Sequence, residues 1–312
     1  MGKMEKEPYL KLTGSLSRKD CELIHMLEEL CVKNDQITLK LELDYKRSDA
    51  DNKTVKTTLS NINEFLYFHG EELIGYMGIC SFGGSSQPFE ITGMVHPQYR
   101  RRGIFSKLSE LVITECRRRN AGGILALCDR NSITGQKFLE QTEAVYNYSE
   151  FEMYLHDESY KAMEKQPPGG ITFRKAVNAD ASQITRQDIL YFGGSPQEGN
   201  EEDENTDILL PEEEEKRGMT IYIAEMDDRI IGKVNLQISD SGTGGIYGLG
   251  VLPENRGKGF GRAILVNAIE KLKELKASEI MLQVAAENAA ALSLYKSCGF
   301  RETSVMDYFE AE

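Results

Sequence analysis

The sequence predicts two tandem domains, each of mixed α/β structure. The chain has 312 residues, about twice the length of an ordinary domain. Strand-like segments alternate with segments whose apolar residues have helical spacing. One pattern also occurs twice, since VHPQYRRRGIFSKL begins at Val95 and VLPENRGKGFGRAI begins 156 residues later at Val251. A duplicated α/β domain accounts for all three observations.

The duplication predicts a first domain at residues 1–162 and a second at 170–312, here named copy one and copy two. Between them, KAMEKQPPGG ends in two prolines and two glycines, which favour a turn or a short linker. A second similarity lies downstream, where the segment around Asn131 matches the segment around Asn288. The two motifs therefore recur in the same order in both copies.

Copy two gives the clearer series of elements. ITFRKA (171–176) alternates like a strand, and NADASQITRQDIL (178–190) has helical spacing with Asn178 or Asp180 as its N-cap. The other predicted elements, in chain order, are a hairpin at 220–239, a strand at 244–251, a helix at 261–275, a strand at 279–284, a short helix ended by Gly299 and a last strand.

Copy one repeats this order after a different beginning. ITLKLELDYK (37–46) alternates like a strand and is followed by a polar loop. The elements that match copy two are a hairpin at 65–82, a strand at 90–95, a helix at 105–118 and a strand at 124–129.

Composition excludes several classes of protein. The net charge of −13 argues against a general binder of nucleic acid or anionic membranes. No apolar run is long enough for a membrane span, and the N-terminus lacks the apolar region of a secretory signal. The six cysteines form no CxxC pair and the four histidines lie far apart, so no metal site is expected. Cysteines in apolar runs such as YMGIC favour a reduced, cytoplasmic protein.

In both copies a basic, glycine-bearing turn joins a strand to a helix. In copy two the turn is RGKGFG, residues 256–261. Its glycines let backbone N–H groups approach an anion, and the helix N-terminus adds partial positive charge, so a pyrophosphate would bind here. A basic surface turn at the start of a helix is the alternative.

The wider pattern of copy two resembles the GNAT superfamily of acyl-CoA-dependent N-acetyltransferases. It combines Val251-Leu252-Pro253, the RxxGxG turn, a helix, a strand, Asn288 and the ending LYKSCGF. Copy one is similar but more divergent, so the chain resembles the tandem-GNAT subgroup over nearly its whole length. The resemblance implies two GNAT-like domains and acetyl-CoA as the acyl donor.

The resemblance also implies where the donor binds. Strand 247–251 would diverge from strand 279–284, and pantetheine would lie between them, bonded to the main chain near Leu249 and Val251. The residues of the turn that would bind the CoA pyrophosphate are Arg256, Gly257, Lys258, Gly259, Phe260 and Gly261.

Two side chains of copy two gain roles by the same resemblance. Asn288 would bind the cofactor, and Tyr295 would protonate the departing thiolate as the general acid. A packed core tyrosine is the alternative for Tyr295. A base must also remove a proton from the amine, and the weak candidates for this base are Tyr247, Glu225 and Glu287.

Copy one departs from the pattern, so we expect it to bind CoA weakly or not at all and to be catalytically poor. Phe105 stands where copy two has Gly261, and Phe138 stands where copy two has Tyr295. Phenylalanine has no proton to donate. Glu90 is a candidate base, with a solvated strand-end carboxylate as the alternative. The residues of copy one that match the cofactor motif are Val95, Arg101, Arg102 and Gly103.

Much of the excess acid lies in a segment at residues 198–215, whose composition is typical of a loop. Clustered carboxylates there would attract a cationic acceptor such as a polyamine, an aminoglycoside or a lysine side chain. A solvated loop that binds nothing is the alternative.

These features together predict an acetyl-CoA-dependent N-acetyltransferase that acts mainly through copy two. The acetyl group would pass directly to a primary amine of a small molecule or a peptide. A non-catalytic acyl-CoA sensor or interaction protein is the alternative. We expect either a monomer, in which the two copies form a pseudo-dimer, or a homodimer.

Overall fold

The computed structural model describes residues 7–52, 61–81, 88–120, 122–161, 170–192 and 210–311, without the side chains of 48–52, 161 and 192. By their contacts the residues divide into two units. Unit 1 comprises Met1–Phe151 together with Ser304–Glu312, and unit 2 comprises Glu152–Thr303. Most of copy one therefore lies in unit 1, and most of copy two in unit 2.

Strands and helices alternate along the chain. The strands are β1 (Pro8–Thr13), β2 (Glu64–His69), β3 (Glu72–Cys80), β4 (Phe89–Val95), β5 (Ile124–Asp129), β6 (Val145–Leu155), β7 (Ile171–Lys175), β8 (Met219–Met226), β9 (Arg229–Ile238), β10 (Thr243–Val251), β11 (Glu279–Ala285) and β12 (Phe300–Glu310). The helices are α1 (Arg18–Asp35), α2 (Leu43–Asn52), α3 (Ile104–Arg118), α4 (Ile133–Gln141), α5 (Asp157–Lys161), α6 (Ala181–Phe192), α7 (Pro211–Lys216), α8 (Phe260–Glu274) and α9 (Ala289–Ser297).

Unit 1 contains a mixed sheet with the spatial order β1-β2-β3-β4-β5-β12. β4 and β5 are parallel, and the other pairs are antiparallel. Buried residues of α3 pack with Phe65 and Ile74 on one face of the sheet, whereas those of α1 pack with Leu66 and Leu73 on the other. Because both faces are buried, β2 and β3 have nearly continuous apolar sequences rather than a clean alternation.

Unit 2 contains a similar sheet with the order β6-β11-β10-β9-β8-β7. β10 and β11 are its parallel pair, flanked by the antiparallel strands β9, β8 and β7. α8 lies close against one face, because a Cβ added to Gly232 would come within 2.7 Å of the Ile264 side chain. α6 covers the other face, where Ile184 packs with Ile221 and Ile223.

Local sequence explains several element boundaries. α1 begins at a capping box, in which the Ser17 side chain accepts from the Asp20 N–H and the Asp20 carboxylate accepts from the Ser17 N–H. The β8–β9 hairpin turns through Asp227 and Asp228, which both have positive φ as a two-residue turn requires. Gly299, at φ +93°, ends the segment that follows α9.

The predicted mixed α/β class is confirmed, and most predicted elements lie within two residues of their predicted bounds. The strand predicted at 37–46 is wrong, because α2 begins at Leu43 and the residues before it have no regular structure. Their alternating pattern has another cause: Leu41 is buried, while the Thr38 N–H and hydroxyl bond to the Asp129 carboxylate at 2.8 and 2.9 Å. The first strand of unit 1 is instead β1, which pairs with β2.

The division by contacts differs from the two sequence copies at the end of the chain. Residues 306–310 of β12 pair with β5, so the last nine residues belong to unit 1. The predicted domain bounds, 1–162 and 170–312, follow the duplicated sequence and stay a prediction. The proposed linker at 162–169 lies outside the described residues.

Candidate active site

The two parallel strands of unit 2 separate halfway along their length. Pairing between β10 and β11 runs from Thr243 opposite Glu279 to Ile246 opposite Leu282. Beyond this point β10 continues to Val251 with β9 as its partner, and β11 continues to its own end. A gap therefore opens between the carboxyl ends of β10 and β11, at residues 247–251, where the resemblance implies one.

β10 also carries a bulge at the start of this gap. Tyr247 pairs with Asn235 and Gly250 pairs with Lys233, so two residues of β10, Gly248 and Leu249, stand opposite one residue of β9. Gly248 has φ +55°, a backbone conformation that favours glycine. A bulge interrupts the ladder and leaves backbone polar groups available for a ligand.

The basic turn lies directly after β10. The Arg256 Nε–H donates to the Val251 carbonyl at 3.0 Å, which ties the turn to the strand. Gly257 and Gly259 have φ values of +74° and +84°. A Cβ added to Gly257 would meet nothing within 4 Å, so the turn faces open space.

The start of α8 leaves backbone donors free. Gly259 is its N-cap and supplies no side-chain cap. The first helical bond joins the Ala263 N–H to the Gly259 carbonyl at 3.1 Å. The N–H groups of Phe260, Gly261 and Arg262 therefore have no acceptor within the helix, as an anion-binding turn requires.

Tyr295 lies on α9 with 8% of its surface exposed. Among the described residues, none forms a hydrogen bond with its hydroxyl, although Phe300 contacts its ring at 6.2 Å between centroids. Burial raises the pKa of Tyr295 to about 12, so the phenol keeps its proton at neutral pH. These surroundings fit a proton donor, and the role of Tyr295 stays a prediction.

Asn288 and the three candidate bases have other surroundings. Asn288 is the N-cap of α9, and its Oδ1 accepts from the Ala291 N–H at 3.1 Å. Glu225 accepts from Arg174 at 3.0 and 2.7 Å, Glu287 is exposed, and the Tyr247 hydroxyl lies 3.9 Å from the Met281 sulfur. The Arg174 pairing makes Glu225 the poorest base of the three.

A buried lysine that was not predicted from the sequence lies beside the bulge. Lys233 is fully buried in β9, where its Nζ bonds to Asp188 Oδ1 at 2.6 Å and to Asn235 Oδ1 at 3.3 Å. Burial lowers the pKa of Lys233. A lysine in the middle of the apolar run IIGKVNL is the signal that could have revealed it, because lysine is rarely buried without a partner.

The turn of copy one has the same backbone shape as that of copy two. The Arg100 Nε–H donates to the Val95 carbonyl at 3.0 Å, and the Lys107 N–H donates to the Gly103 carbonyl at 3.0 Å. Arg101 adopts φ +62° where copy two has a glycine. The Arg100 guanidinium also forms a bidentate pair with Asp35 at 2.8 and 2.6 Å.

The aromatic residues of copy one pack against each other. The rings of Phe105 and Phe138 meet edge to face with centroids 4.7 Å apart. The corresponding contact in copy two is small, because a Cβ added to Gly261 would lie 3.4 Å from Leu294. Phe105 therefore places a ring beside the turn where Gly261 of copy two has no side chain.

The predicted match of Phe138 with Tyr295 is wrong by one residue. The N-cap of α4 is Ser132, whose hydroxyl accepts from the Gly135 N–H as Asn288 accepts from Ala291. Both helices have nine residues, and the seventh residue after the N-cap is Leu139 in α4 and Tyr295 in α9. Leu139 belongs to the apolar core and has no proton to donate.

Glu90 lies in a buried group of charges on the α1 side of unit 1. Lys40 Nζ lies 3.8 Å from Glu90 Oε2 and 3.2 Å from Glu150 Oε2, and it bonds to the Tyr308 hydroxyl at 2.7 Å. Burial raises the pKa of Glu90. Glu90 is thus enclosed rather than solvated at a strand end, and its role as a base stays a prediction.

The acidic segment is described only in part. Residues 198–209 lie outside the described residues, and the rest begins α7. Two of its carboxylates are already paired, Glu215 with Lys175 and Glu214 with Arg217 at 2.7 Å. The described part therefore presents less free negative charge than the sequence indicates.

Two negative findings apply to the described residues. They contain no group of three or more histidine, cysteine, aspartate or glutamate side chains that could hold a metal ion. No helix in the same part of the chain has the length and apolar character needed to cross a membrane.

Comparisons with known proteins agree with the duplication. A family model described as "Acetyltransferase (GNAT) family" matches residues 27–142 and again residues 187–300. A mycothiol acetyltransferase of Kocuria rhizophila is 26% identical over 253 residues, which are 76% of this chain and 80% of that protein. A mycothiol acetyltransferase of Saccharopolyspora erythraea is 25% identical over 74% of this chain and 79% of its own length.

Two solved structures have a similar fold. A GCN5-related N-acetyltransferase from Sphaerobacter thermophilus is 19% identical with a TM-score of 0.71, covering 98% of this chain and 95% of that chain. A tandem GNAT protein from the clavulanic acid biosynthesis pathway is 14% identical with a TM-score of 0.73, covering 98% of each chain.

Proposed function

Because the chain belongs to the GNAT acetyltransferase family, we propose that copy two transfers an acetyl group from acetyl-CoA directly to a primary amine of a small molecule. The family membership confirms the resemblance drawn from the sequence and makes the chain an acetyltransferase. The donor of the family is acetyl-CoA. The acceptor class, the roles of individual residues and the division of work between the copies belong to our proposal.

The observation that carries the proposal is the concentration of three features on β10. The strand separates from β11 after Ile246, it bulges at Gly248, and it ends at the turn that begins with Arg256. The gap would receive pantetheine near Leu249 and Val251, and the turn would bind the pyrophosphate. The free N–H groups at the start of α8 and the open space beside Gly257 suit a phosphate group.

The reaction needs an acyl group and two proton transfers. Acetyl-CoA supplies the thioester. A backbone N–H of the bulge polarises its carbonyl, the neutral amine nitrogen forms the new C–N bond, and the C–S bond breaks. Tyr295 donates its proton to the departing sulfur, and a proton released by the nitrogen restores the phenol.

Burial of Tyr295 supports this role. With a pKa of about 12, the phenol is protonated at neutral pH, so a proton donor is present there. The ordinary thiol pKa of about 8.5 is lower than that of this phenol, so transfer of the proton to sulfur is completed by the proton that the nitrogen returns to the phenol.

The acceptor is proposed to be a small molecule. Two relatives named for mycothiol, of which the chain matches 80% and 79% of the length, support a small acceptor rather than a peptide. The remaining acid of the segment at 198–215 would raise the local concentration of a cationic amine. Wild-type KM for such an amine should then rise with salt, and a salt-independent KM would remove this contribution.

The test compares wild type with Tyr295→Phe in the full chain. CoA thiol release is measured with acetyl-CoA and four probe amines: glucosamine, spermidine, kanamycin and Nα-acetyl-lysine. We expect Tyr295→Phe to reduce kcat about 100-fold or more, since general acids contribute about this much. Its affinity for acetyl-CoA, measured by calorimetry, should remain within threefold of wild type.

Phe138→Leu in copy one is the matched control, because it removes an aromatic ring without touching copy two. It should keep wild-type kcat. Full activity of Tyr295→Phe would refute the role of Tyr295, whereas loss of acetyl-CoA binding would assign it to packing instead.

A further inference from the structure

Lys233 of β9 and Asp188 of α6 form an ion pair beside the bulge of β10. Lys233 has no exposed surface, whereas 42% of the Asp188 side chain is exposed. The Asp188 carboxylate is therefore accessible to solvent, while its Oδ1 bonds to Lys233 Nζ at 2.6 Å. A lysine buried in this way is costly, and an apolar residue of similar volume would fill the space with less loss of hydration.

The pair is close to the place where the acetyl group would lie. A Cβ added to Gly248 would stand 3.5 Å from Lys233 Nζ and 2.9 Å from Asn235 Nδ2. α6, which carries Asp188, packs directly on β10, because the Tyr191 ring lies against the Cα of Gly250. The Asp188 carboxylate is thus separated from the bulge by a single buried side chain.

Unit 1 has a closed group at the corresponding position. Tyr76 pairs with Met94 as Lys233 pairs with Gly250, and it is equally buried. Its hydroxyl bonds to Glu64 at 2.6 Å and to Lys46 at 2.9 Å, yet Glu64 is only 2% exposed. The carboxylate of unit 1 is sealed inside the protein, whereas the carboxylate of unit 2 is accessible from solvent.

We propose that Asp188 binds the amino group of the acceptor beside the bulge of β10, and that Lys233 positions this carboxylate. This inference rests on the proposed function of copy two. An acceptor ammonium placed on Asp188 would be held next to the thioester carbonyl. It passes one proton to solvent water, to which 42% of the Asp188 side chain is exposed, and the neutral nitrogen then attacks the carbonyl carbon as the C–S bond breaks. The charge of Lys233 keeps Oδ1 of Asp188 occupied, so the second carboxylate oxygen is directed to the ligand.

The closing experiment uses the full chain and the double variant Asp188→Asn/Lys233→Met. Asp188→Asn alone would leave an unpaired buried cation, which endangers folding, whereas replacing both partners keeps a packed interior. KM and kcat are measured for glucosamine, spermidine, kanamycin and Nα-acetyl-lysine, and for acetyl-CoA. The control is Glu279→Gln, which removes a carboxylate at the opposite end of β11, where Glu279 accepts from Thr243 at 2.9 Å.

We expect the double variant to raise KM for the amine at least tenfold, with KM for acetyl-CoA unchanged and kcat within threefold. Lys233→Met alone should raise the amine KM by a smaller factor, because Asp188 remains but is no longer held. A merely structural role would move both KM values or neither. A folded double variant with wild-type amine KM overturns the inference while the proposed function stands.

Calorimetry of amine binding to the CoA complex separates the two proposals. If wild type releases no CoA with any probe, the proposed function fails and binding decides the inference. The inference is supported if wild type and Glu279→Gln both bind the amine and the double variant does not. Absence of binding by wild type overturns it.

Discussion

β4 of unit 1 and β10 of unit 2 occupy the same place in their sheets but differ by one residue. β4 pairs with β3 without interruption from Glu90 to Val95, whereas β10 shifts register against β9 at Gly248 and Leu249. Both strands separate from their parallel neighbour after three or four residue pairs. The gap therefore belongs to the fold, whereas the bulge belongs to copy two alone.

The turns after these two strands have different sequences but the same backbone conformation. Arg101 and Gly257 both have positive φ, and Arg100 and Arg256 donate to the end of the strand at the same distance. Retention of the turn thus says little about activity. What separates the copies is the bulge, the aromatic pair beside the turn and the residue at the seventh position after the helix N-cap.

The largest effect is expected from removing the bulge. Gly248→Val forces a β-branched residue into φ +55° and brings its Cβ within 2.9 Å of Asn235. We expect kcat to fall about 100-fold, since loss of one donor to a developing oxyanion has about this effect. Steady-state CoA release at saturating acetyl-CoA measures it.

Gly242→Val is the control for backbone strain. Gly242 has φ +87° at the other end of β10, where an added Cβ would lie 3.2 Å from Ser278. It should lose a similar free energy of unfolding, about 1–2 kcal/mol, and keep its kcat. Equal activity loss in both variants would show that strain alone is responsible.

The next effect concerns the space beside the turn. Gly261→Phe gives copy two the residue that copy one has in Phe105. We expect acetyl-CoA affinity to fall about tenfold by calorimetry, which is about 1.4 kcal/mol, because the ring must displace Leu294 or occupy the path to the pyrophosphate. Gly261→Ala, whose Cβ fits at 3.4 Å, should bind normally, and normal binding by the Phe variant would make Phe105 irrelevant to the divergence.

A smaller effect is expected from α6, which corresponds to α1 of unit 1 and covers the sheet face opposite α8. α1 buries Ile24, Leu27 and Cys31, and α6 has Ile184, Gln187 and Tyr191 at the same spacing. Gln187 is 1% exposed, and neither atom of its amide has a hydrogen-bond partner among the described residues. Gln187→Leu should therefore raise the free energy of unfolding by about 1–2 kcal/mol in urea.

The activity of Gln187→Leu shows whether the buried amide also serves the acceptor site. A stabilised variant with reduced kcat or raised KM would assign the amide to the acceptor site, as trade-offs between stability and activity predict. A destabilised variant would mean that the amide has a partner in the folded protein.

The smallest effect concerns the charged group of unit 1. Glu90 faces Lys40, Glu150 and Glu42, and burial raises its pKa in the folded state. A raised carboxyl pKa stabilises the fold at low pH, and this contribution is lost as pH rises through the folded-state pKa. Glu90→Gln should thus gain stability relative to wild type between pH 4.5 and pH 7, by less than about 1 kcal/mol, with unchanged kcat. Loss of activity in this variant would instead make copy one catalytic.

The sequence was sufficient for the parts of the molecule that depend on local patterns. Apolar spacing placed β10, α8 and β11 within a residue or so, and the glycines of the turn revealed its backbone shape. The bulge was not predictable, because one extra residue at Gly248 has no signature until β9 is laid beside it. The register of Phe138 was one residue off for a different reason, because the sequence match paired Asn131 with Asn288, whereas the N-cap of α4 is Ser132.

Pairing between distant residues was also hidden. Lys233 and Asp188 lie 45 positions apart, and nothing in either segment indicates that one meets the other. The alternation at 37–46 misled because the partners of Thr38 and Lys40 are side chains rather than a neighbouring strand. In both cases the structure depends on contacts between residues distant in the sequence, which local patterns do not reveal.

The pairing of residues 306–310 with β5 has a consequence for biosynthesis. The chain emerges from the ribosome with β5 lacking its partner β12, so this edge of β5 stays unpaired until residues 306–310 have been made. At about 5–20 residues per second, that interval lasts roughly 9–36 s. An open strand edge is a template for pairing with other chains. Unit 1 contains the part of the chain that is made first, yet its sheet is complete only after residues 306–310 have been made. A chain that stops before residue 306 would therefore leave β5 of unit 1 without its partner strand.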